Sequence, residues 1–348
     1  MPTTALQPLL GEKLSSSHQD WDALIRENEG HLLQSWNWGE FKQRQGWEVE
    51  RISVEQDGAT AGGQILFKRG GPFSIAYIPR GPVLPRGGSN LGVALLEEID
   101  RTCRGRRALH LIVEPNEDLP LDGGALALFR AGPPPFQPGR TVKVPLLPDD
   151  ALLKQMHQKT RYSVRLGQRR GVEVEQCEPT PANVDLFFGL LKDTSQRNEF
   201  GIHDRKYYAD FIDVFASDAL MLIARVEGDA AAGLVAAKFG REAIYMYGGS
   251  SSEHRAHGAA FLLQFEAMRW ARNAGCEQYD LWGIPEIDPT SASDDGDRIA
   301  GTKGDDWRGL YRFKTGFGGE IISYPPTIER RYRPFLSFIA RRRYGHRV

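Results

Sequence analysis

The sequence predicts an α+β fold made of two tandem domains that share one order of elements. In the first half, three strand patterns are followed by a helix pattern and a buried-type strand, which gives the order β-β-β-α-β. These segments are residues 48–54, 61–68, 74–77, 91–104 and 109–113. The same order returns in the second half, at residues 220–226, 233–239, 243–248, 259–274 and 279–283.

The two halves also keep a constant spacing. Aligning Gly62 with Gly233 gives an offset of 233 − 62 = 171, and this offset also carries Leu91 onto Leu262 without a gap. A constant offset across several elements indicates a duplicated domain, although unrelated α+β domains could share the order by chance. We expect a first domain at 1–148 and a second at 149–319, divided near Pro148.

Composition limits the class of protein. The 348 residues are 41% hydrophobic and 26% charged, which is typical of a globular protein long enough for two cores. The formal net charge of −1 gives no global attraction to nucleic acid or anionic membrane, so such a partner needs a local patch. Three distant cysteines and the lack of a long apolar run favour a cytoplasmic protein.

The helix pattern of the second half follows a polar turn that suits a ligand. Phe261, Phe265 and Met268 recur at helical spacing, and Gly275 stands where a C-terminal cap is expected. The preceding turn, residues 250–258, offers backbone N–H groups at a helix N-terminus. His254 and His257 lie three residues apart there, but no third ligand has suitable spacing, so we predict no metal site.

The element order of each half resembles acetyltransferases of the GNAT type. Residues 255–260, R-A-H-G-A-A, are similar to the loop that holds the pyrophosphate of acetyl-CoA in those enzymes. An acetyl-CoA-dependent N-acyltransferase is therefore one alternative function. A non-catalytic binding protein with duplicated domains is another.

Several blocks, in order, resemble the FemABX family, the aminoacyl-tRNA-dependent transferases that build the interpeptide branch of peptidoglycan. They include Q-S-W-N-W-G-E-F-K (34–42), Y-I-P-R-G-P (77–82), Y-M-Y-G-G-S-S (245–251) and G-L-Y-R-F-K-T-G-F-G-G-E (309–320). The resemblance implies two GNAT-like domains, with the segment 320–348 packing back on the first. The lack of a long charged insertion between residues 192 and 220 makes the chain more similar to the compact, FemX-like members.

The family resemblance implies transfer of an amino acid from aminoacyl-tRNA to an amine of a UDP-linked or lipid-linked muramyl-pentapeptide. The aminoacyl ester is already activated, so the reaction needs alignment and a group that stabilises the developing oxyanion, and no cofactor. Lys314, beside Phe313 and between glycines that allow close backbone approach, matches the lysine to which the family gives this role. The alternative is an ordinary surface lysine on a strand.

A phosphate-bearing precursor needs cations and aromatic side chains. Lys42 matches a family lysine and lies on a predicted helix beside Trp38, although a solvated lysine would have the same spacing. Arg80 ends a strand and could bind an anion or backbone carbonyls. Glu114 also ends a strand, at a position where the family often has an acidic residue, so it is a possible general base.

The second half offers further candidates for the precursor site. Either Arg197 or Arg205 is the counterpart of a family arginine that binds phosphate, with Tyr208 as a nearby tyrosine. Tyr245 and Tyr247 alternate along a strand and share one face if that strand is regular. Core tyrosines are the alternative interpretation of this pair.

A tRNA donor requires local positive charge. Arg161, Arg165 and Arg169 form one stripe if residues 157–170 are helical, and a solvated helix face is the alternative. The tail has arginines at 330, 331, 333 and 341–343 around an apolar stretch, and it could dock on the first domain, bind tRNA or touch the inner membrane surface. We expect docking, and a monomer.

Overall fold

The computed structural model describes residues 17–56, 58–85, 89–119, 127–285 and 307–333. These residues form two compact units. The first contains the described residues up to Phe136 and those from Pro325 onward, and the second contains those of Gln137–Tyr324. The tail arginines beyond residue 333 lie outside the described residues. No described helix has the length and apolar character needed to cross a bilayer.

The first unit is a six-stranded sheet with three described helices. The helices are α1 (His18–Glu27), α2 (Trp36–Arg44) and α3 (Ser89–Gly105). The strands are β1 (Glu48–Gln56), β2 (Ala59–Gly70), β3 (Phe73–Pro79), β4 (Ala108–Glu114), β5 (Arg130–Ala131) and β13 (Ile328–Arg331). Their order in the sheet is β1-β2-β3-β4-β13-β5.

The second unit is a seven-stranded sheet with six described helices. The helices are α4 (Asp149–Gln155), α5 (Gln158–Arg169), α6 (Pro181–Asn198), α7 (Arg205–Phe215), α8 (Ala259–Asn273) and α9 (Trp307–Thr315). The strands are β6 (Arg140–Pro145), β7 (Glu173–Gln176), β8 (Ala219–Val226), β9 (Asp229–Phe239), β10 (Glu242–Ser250), β11 (Gln278–Asp280) and β12 (Glu320–Ser323). Their order is β12-β6-β11-β10-β9-β8-β7.

Local sequence explains several of these boundaries. The side chains of Ser17 and Ser35 accept hydrogen bonds from the first turns of α1 and α2, and Asp204 does the same for α7. Thr180 caps α6, and Pro181 occupies its first turn, where the missing N–H costs nothing. Each of these four helices therefore follows a residue whose side chain satisfies one of its free backbone donors.

The two units repeat the expected order at the expected spacing. Strand β1 begins at Glu48 and β8 at Ala219, and 219 − 48 = 171. In each unit three consecutive strands, β1–β3 and β8–β10, form an antiparallel meander, and the third of them pairs in parallel with the strand that follows the helix. The β-β-β-α-β order predicted for each half is confirmed by these pairings.

The two units divide earlier than Pro148, and the reason is strand β6. This strand pairs antiparallel with β11 and β12, so residues 140–145 belong to the second sheet and not to the first domain. Strand β13 pairs with β4 and β5 in the first sheet, whereas β12, which starts at Glu320, pairs in the second. Of the segment expected to return to the first domain, the part from Pro325 lies in the first unit.

Candidate active site

Lys314 is buried within the second unit. It lies on helix α9, and 6% of its surface is exposed, so neither part of the surface-strand alternative holds. Its Nζ donates a hydrogen bond to the carbonyl oxygen of Gly283 at 2.7 Å. The same nitrogen lies 5.5 Å from the ring centroid of Tyr245 on β10, within the range of a cation–π contact.

Burial changes the proton affinity of this lysine. Loss of solvent lowers the pKa of Lys314 from 10.5 to about 7, against the opposing effect of the negative charge of Asp280. Burial also raises the pKa of Tyr245 to about 12, so this phenol keeps its proton near neutral pH. Near pH 7, Lys314 is therefore present in both its charged and its neutral form, and either form can donate a hydrogen bond.

Aromatic packing holds α9 in place. The ring of Phe313 contacts those of Phe261 and Phe317, with centroids 4.9 and 5.5 Å apart. The glycines after Lys314 allow the close approach that the sequence suggested, but to a side chain and a backbone carbonyl of the protein itself. A Cβ at Gly316 would lie 2.2 Å from Thr160 Oγ1, and one at Gly318 would lie 2.1 Å from Gln155 O.

Tyr245 and Tyr247 do not have the shared surroundings expected of alternating residues. The pairing of β10 with β9 shifts register between them, which marks a β-bulge or similar irregularity. Tyr245 packs beside the hydrophobic core of the unit and Lys314, whereas Tyr247 lies 5.1 Å from Tyr208 and 5.2 Å from Phe211. The strand is therefore not regular between these residues, so the condition under which they would share one face is not met.

Tyr208 and Arg197 take structural partners near the end of β10. Tyr208 is buried, and its hydroxyl accepts a hydrogen bond from the backbone N–H of His203 at 3.2 Å. Arg197 donates to the carbonyl oxygen of Ser250 at 3.1 Å and to Ser252 Oγ at 2.9 Å. Arg197 thus ties the C-terminal turn of α6 to the loop that follows β10.

Arg205 lies on the outer part of the helical pair α6 and α7. Its guanidinium is paired with Asp185 of α6 and donates to the carbonyl oxygen of Pro181 at 2.9 Å. The guanidinium of Arg205 therefore makes a helix-to-helix contact with α6. Of the two arginines, Arg197 is the one that reaches the loop after β10.

In the first unit, Lys42 sits among aromatic rings. Its Nζ lies 5.3 Å from the ring of Trp38 and 5.8 Å from that of Trp47, and Trp47 is also approached by Lys68. Burial, followed by the nearby charge of Lys68, lowers the pKa of Lys42 to about 8. Trp38 is 4% exposed, and its indole N–H has no hydrogen-bond partner among the described residues. Lys68 and Trp47 were not predicted from the sequence.

Arg80 and Glu114 lie at the same edge of the first sheet. Strands β3 and β4 are parallel, with Pro79 opposite Glu114, so the residues that end them are neighbours. Both side chains are 2% exposed, and a Glu114 oxygen accepts a hydrogen bond from the N–H of Phe136 at 2.5 Å. Arg80 has φ +49°, an unusual conformation for a residue other than glycine, and such strain is common at functional sites.

The basic stripe on α5 is confirmed as helical, but its members differ. Arg161 donates to the carbonyl oxygens of Leu153, Lys154 and Met156, at 3.2–3.4 Å, and so closes the end of α4. Arg165 and Arg169 are exposed, and Arg169 lies 5.5 Å from the ring of exposed Tyr162. The solvated face is thus formed by Arg165 and Arg169, together with exposed Lys159.

The acetyl-CoA-like motif has a packing explanation. Gly258 has φ +76°, and a Cβ there would lie 2.4 Å from the carbonyl oxygen of Ser163 on α5. Arg170 also donates to the carbonyl oxygen of Ala256 at 2.8 Å. The glycine of the motif is therefore required where α5 meets the start of α8. His254 and His257, the rejected metal pair, have ring centroids 5.7 Å apart.

The turn that anchors Lys314 was not predicted from the sequence. Residues 279–283 were predicted as one strand, but β11 ends at Asp280, and Trp282 has φ +60°. Asp280 is fully buried, and its carboxylate accepts a hydrogen bond from the N–H of Trp282 at 2.6 Å. An acidic residue inside the apolar pattern Y-D-L-W-G was the available signal.

Described arginines of the C-terminal patch are engaged within the first unit. Arg330 pairs with Asp100 of α3 at 2.9 Å, and Arg331 pairs with Glu329 at 3.1 Å. Strand β13 therefore carries two of the tail arginines into ion pairs, in keeping with its place in the first sheet.

Known proteins are similar to this chain in sequence and in fold. A model of the FemAB family matches residues 16–123, 145–232 and 227–337. The lipid II:glycine glycyltransferase of Staphylococcus epidermidis is 25% identical over 365 residues, covering 81% of this chain and 86% of that protein. That of Staphylococcus aureus is 30% identical over 226 residues, covering 60% of this chain and 53% of that protein.

Two solved structures describe the architecture. The crystal structure of FemX has a TM-score of 0.80 at 21% identity, covering 94% of this chain and 99% of that one. A tandem GNAT protein from the clavulanic acid pathway has a TM-score of 0.50 at 12% identity, covering 90% and 95%. The fold is thus a pair of tandem GNAT-like domains. Because the family model covers most of the sequence, the chain belongs to the FemAB family.

Proposed function

We propose that this protein transfers an amino acid from aminoacyl-tRNA to an amine of the stem peptide of a peptidoglycan precursor. The observation that carries the proposal is Lys314, a buried lysine held at 2.7 Å by a backbone carbonyl and placed in the family block 309–320. Relatives named as lipid II:glycine glycyltransferases support a glycyl-type transfer and favour a lipid-linked acceptor. The tRNA donor implies action in the cytoplasm.

The chemistry requires one positive group beside the reacting carbonyl. The acceptor amine attacks the ester carbon, a C–N bond forms, and the C–O bond to the tRNA ribose breaks. The proton lost by the amine leaves with the ribose hydroxyl. The ammonium of Lys314 donates a hydrogen bond to the carbonyl oxygen as negative charge develops there, and a dry site strengthens this bond. Phe313 supports the lysine by packing α9 against Phe261.

Tyr245 borders the same site. Its ring lies 5.5 Å from the lysine nitrogen, and its high pKa keeps the hydroxyl as a neutral hydrogen-bond donor. We assign Tyr245 to orientation of the reacting groups. Tyr208, Tyr247 and Arg197 shape the end of β10 and the loop after it. Arg205 has no part in this proposal, because its partners lie on α6.

The precursor phosphates suit the cation and aromatic cluster of the first unit. Lys42 lies among aromatic rings with Lys68 nearby, and the unpartnered N–H of Trp38 offers a neutral donor. An anion bound there would meet two ammonium groups and an indole N–H. Arg80 and Glu114, at the edge where β3 and β4 end, could contact the peptide portion.

The donor tRNA suits the exposed face of α5. Lys159, Arg165 and Arg169 are exposed there, and exposed Tyr162 offers a stacking surface. Arg161 is excluded from this face by its bonds to the carbonyls that end α4. The net charge of −1 makes such a local patch necessary for tRNA binding.

The test combines each of two labelled donors with each of two acceptors. Purified protein is given a charged total-tRNA pool or acetyl-CoA as donor, and lipid-linked or nucleotide-linked muramyl-pentapeptide as acceptor. We expect label to pass from tRNA to the lipid-linked acceptor, and Lys314→Ala to abolish it. Label arriving only from acetyl-CoA would overturn the donor assignment. Precursor binding without any transfer would favour a binding protein.

A further inference from the structure

A carboxylate lies completely buried at the end of β11, close to Lys314. Asp280 pairs with Ile244 of β10 on one side and with Lys143 of β6 on the other, and its exposed fraction is 0%. A buried carboxylate is costly unless its oxygens accept hydrogen bonds. The hydrogen-bond partners of Asp280 therefore identify the segments that this carboxylate holds in place.

Asp280 joins three segments of the second unit. One oxygen accepts from Thr141 Oγ1 of β6 and from the backbone N–H of Trp282 at 2.6 Å. The other accepts from the hydroxyl of Tyr324 at 3.4 Å. The contact with Trp282 affects the position of Lys314, because Trp282 precedes Gly283, whose carbonyl oxygen accepts the hydrogen bond from the lysine.

The turn at Trp282 is strained. Its φ of +60° is a left-handed conformation, which costs a bulky residue free energy and persists only where the surroundings hold it. The next residue, Gly283, presents its carbonyl oxygen to Lys314 Nζ at 2.7 Å. A short chain of contacts thus runs from the Asp280 carboxylate through two residues of backbone to the lysine nitrogen.

Charged and titratable groups near Lys314 come from several strands. Tyr245 lies on β10 and Asp280 lies on β11. Next to Asp280, the ion pair Lys143–Glu242 joins β6 to β10 at 2.6 Å. Burial, with a further contribution from Asp280, raises the pKa of Glu242 to about 7. Of these groups, Asp280 is the one whose charge raises the pKa of Lys314 against burial.

We propose that Asp280 is a positioning residue for Lys314: its carboxylate holds the Trp282 turn that aims the Gly283 carbonyl at the lysine, and supplies a negative charge near that ammonium. The inference rests on the proposed function for its effect on transfer. Its effect on Lys314 itself can be measured without any substrate. The effect of Asp280 on Lys314 and the proposed transfer activity can therefore be tested separately.

Two substitutions separate the roles of the turn and the charge. Asp280→Asn keeps an oxygen that can accept from Trp282 N–H but removes the charge. Asp280→Ala removes both. Glu242→Gln is the matched control, since it removes a half-buried carboxylate of the same sheet and leaves the bonds of the Trp282 turn intact.

The primary measurement is the pKa of Lys314, followed by NMR of lysine labelled with carbon-13 and nitrogen-15, with Lys314→Arg used for assignment. We expect the pKa of Lys314 to fall below its wild-type value in Asp280→Asn and to stay near it in Glu242→Gln. An unchanged Lys314 pKa in Asp280→Asn would overturn the role of the Asp280 charge. This variant decides the electrostatic part of the proposal even if the alanine variant does not fold.

The second measurement is transfer itself. We expect kcat to fall by roughly 10- to 100-fold in Asp280→Ala, with KM for the acceptor little changed, because a misplaced lysine weakens only transition-state contacts. Asp280→Asn should lose less activity. A folded alanine variant with wild-type kcat would overturn the positioning role. Absence of transfer by the wild type, with the NMR shift present, would instead sink the proposed function alone.

Discussion

The amino group of Lys314 lies 2.7 Å from the carbonyl oxygen of Gly283, at the end of a turn held by the buried carboxylate of Asp280. This contact places a lysine where bulk water cannot solvate it. Its pKa is lowered to about 7 for that reason. Four measurable consequences follow from the lysine and from the cationic sites of the two units.

The first concerns stability. Replacing Lys314 by Met should raise the free energy of unfolding at pH 7 by about 1–4 kcal/mol, because a buried charge is exchanged for an apolar side chain of similar length. Since the folded-state pKa is lowered from 10.5 to about 7, the unfolded chain binds more protons between these values. The gain should therefore shrink as pH rises toward 10. Denaturant unfolding at pH 7 and pH 9.5 measures both effects, and a less stable variant at pH 7 would contradict them.

The second concerns the pH dependence of transfer. The reaction needs a neutral acceptor amine, with a pKa of roughly 10 for a lysine-type side chain, and a protonated Lys314. Log kcat/KM should rise with pH up to about 7 and then level off, because each further gain in neutral amine is offset by loss of the ammonium. In Lys314→Met the rise should continue past pH 7 from a lower starting rate. A wild-type profile that keeps rising through pH 9 would rule out the ammonium role.

The third concerns acceptor binding in the first unit. The pKa of Lys42 is lowered to about 8 by burial and by Lys68, so affinity for the phosphate-bearing precursor should weaken as pH rises through 8. Lys68→Met removes the like charge, raises the pKa of Lys42 and should move this loss to higher pH. Calorimetric titration between pH 7 and 9 tests this. Lys192→Met, a change at an exposed lysine of α6, is the control, and a dissociation constant independent of pH would refute the assignment.

The fourth concerns the donor. Changing both Arg165 and Arg169 to Gln should weaken tRNA binding and reduce the slope of log affinity against log salt by roughly 1 to 2, as expected for two lost phosphate contacts. Arg205→Gln is the matched control, because this arginine is paired with Asp185 on α6. Filter binding at several salt concentrations measures the slopes. Equal slopes for the double variant and the control would exclude α5 as the tRNA surface.

Much of the fold could be predicted because its signals are local and repeated. Alternating strands, capped helices and the 171-residue offset all depend on neighbouring residues and survive in both units. The domain boundary was misplaced because β6 pairs with β11 and β12, strands distant in sequence. Long-range pairing of this kind leaves no trace in local periodicity.

The candidate site was predicted in part. Lys314, Phe313 and Tyr245 come together in the second unit, and Lys42 meets Trp38 in the first. The different surroundings of Tyr245 and Tyr247 could not be foreseen, since a bulge depends on the register between β9 and β10. The Arg205–Asp185 pair depends likewise on how α6 and α7 pack.

The most direct test of the account is single-turnover transfer from preformed aminoacyl-tRNA to a saturating lipid-linked acceptor, comparing Lys314→Met with Lys192→Met. We expect the Lys314 variant to lose about 100- to 1000-fold in the rate constant while still binding both substrates, as for removal of one oxyanion donor. The Lys192 variant should match the wild type. Transfer at the wild-type rate by a folded Lys314→Met protein would contradict the assignment of Lys314 as the group that stabilises the reacting carbonyl.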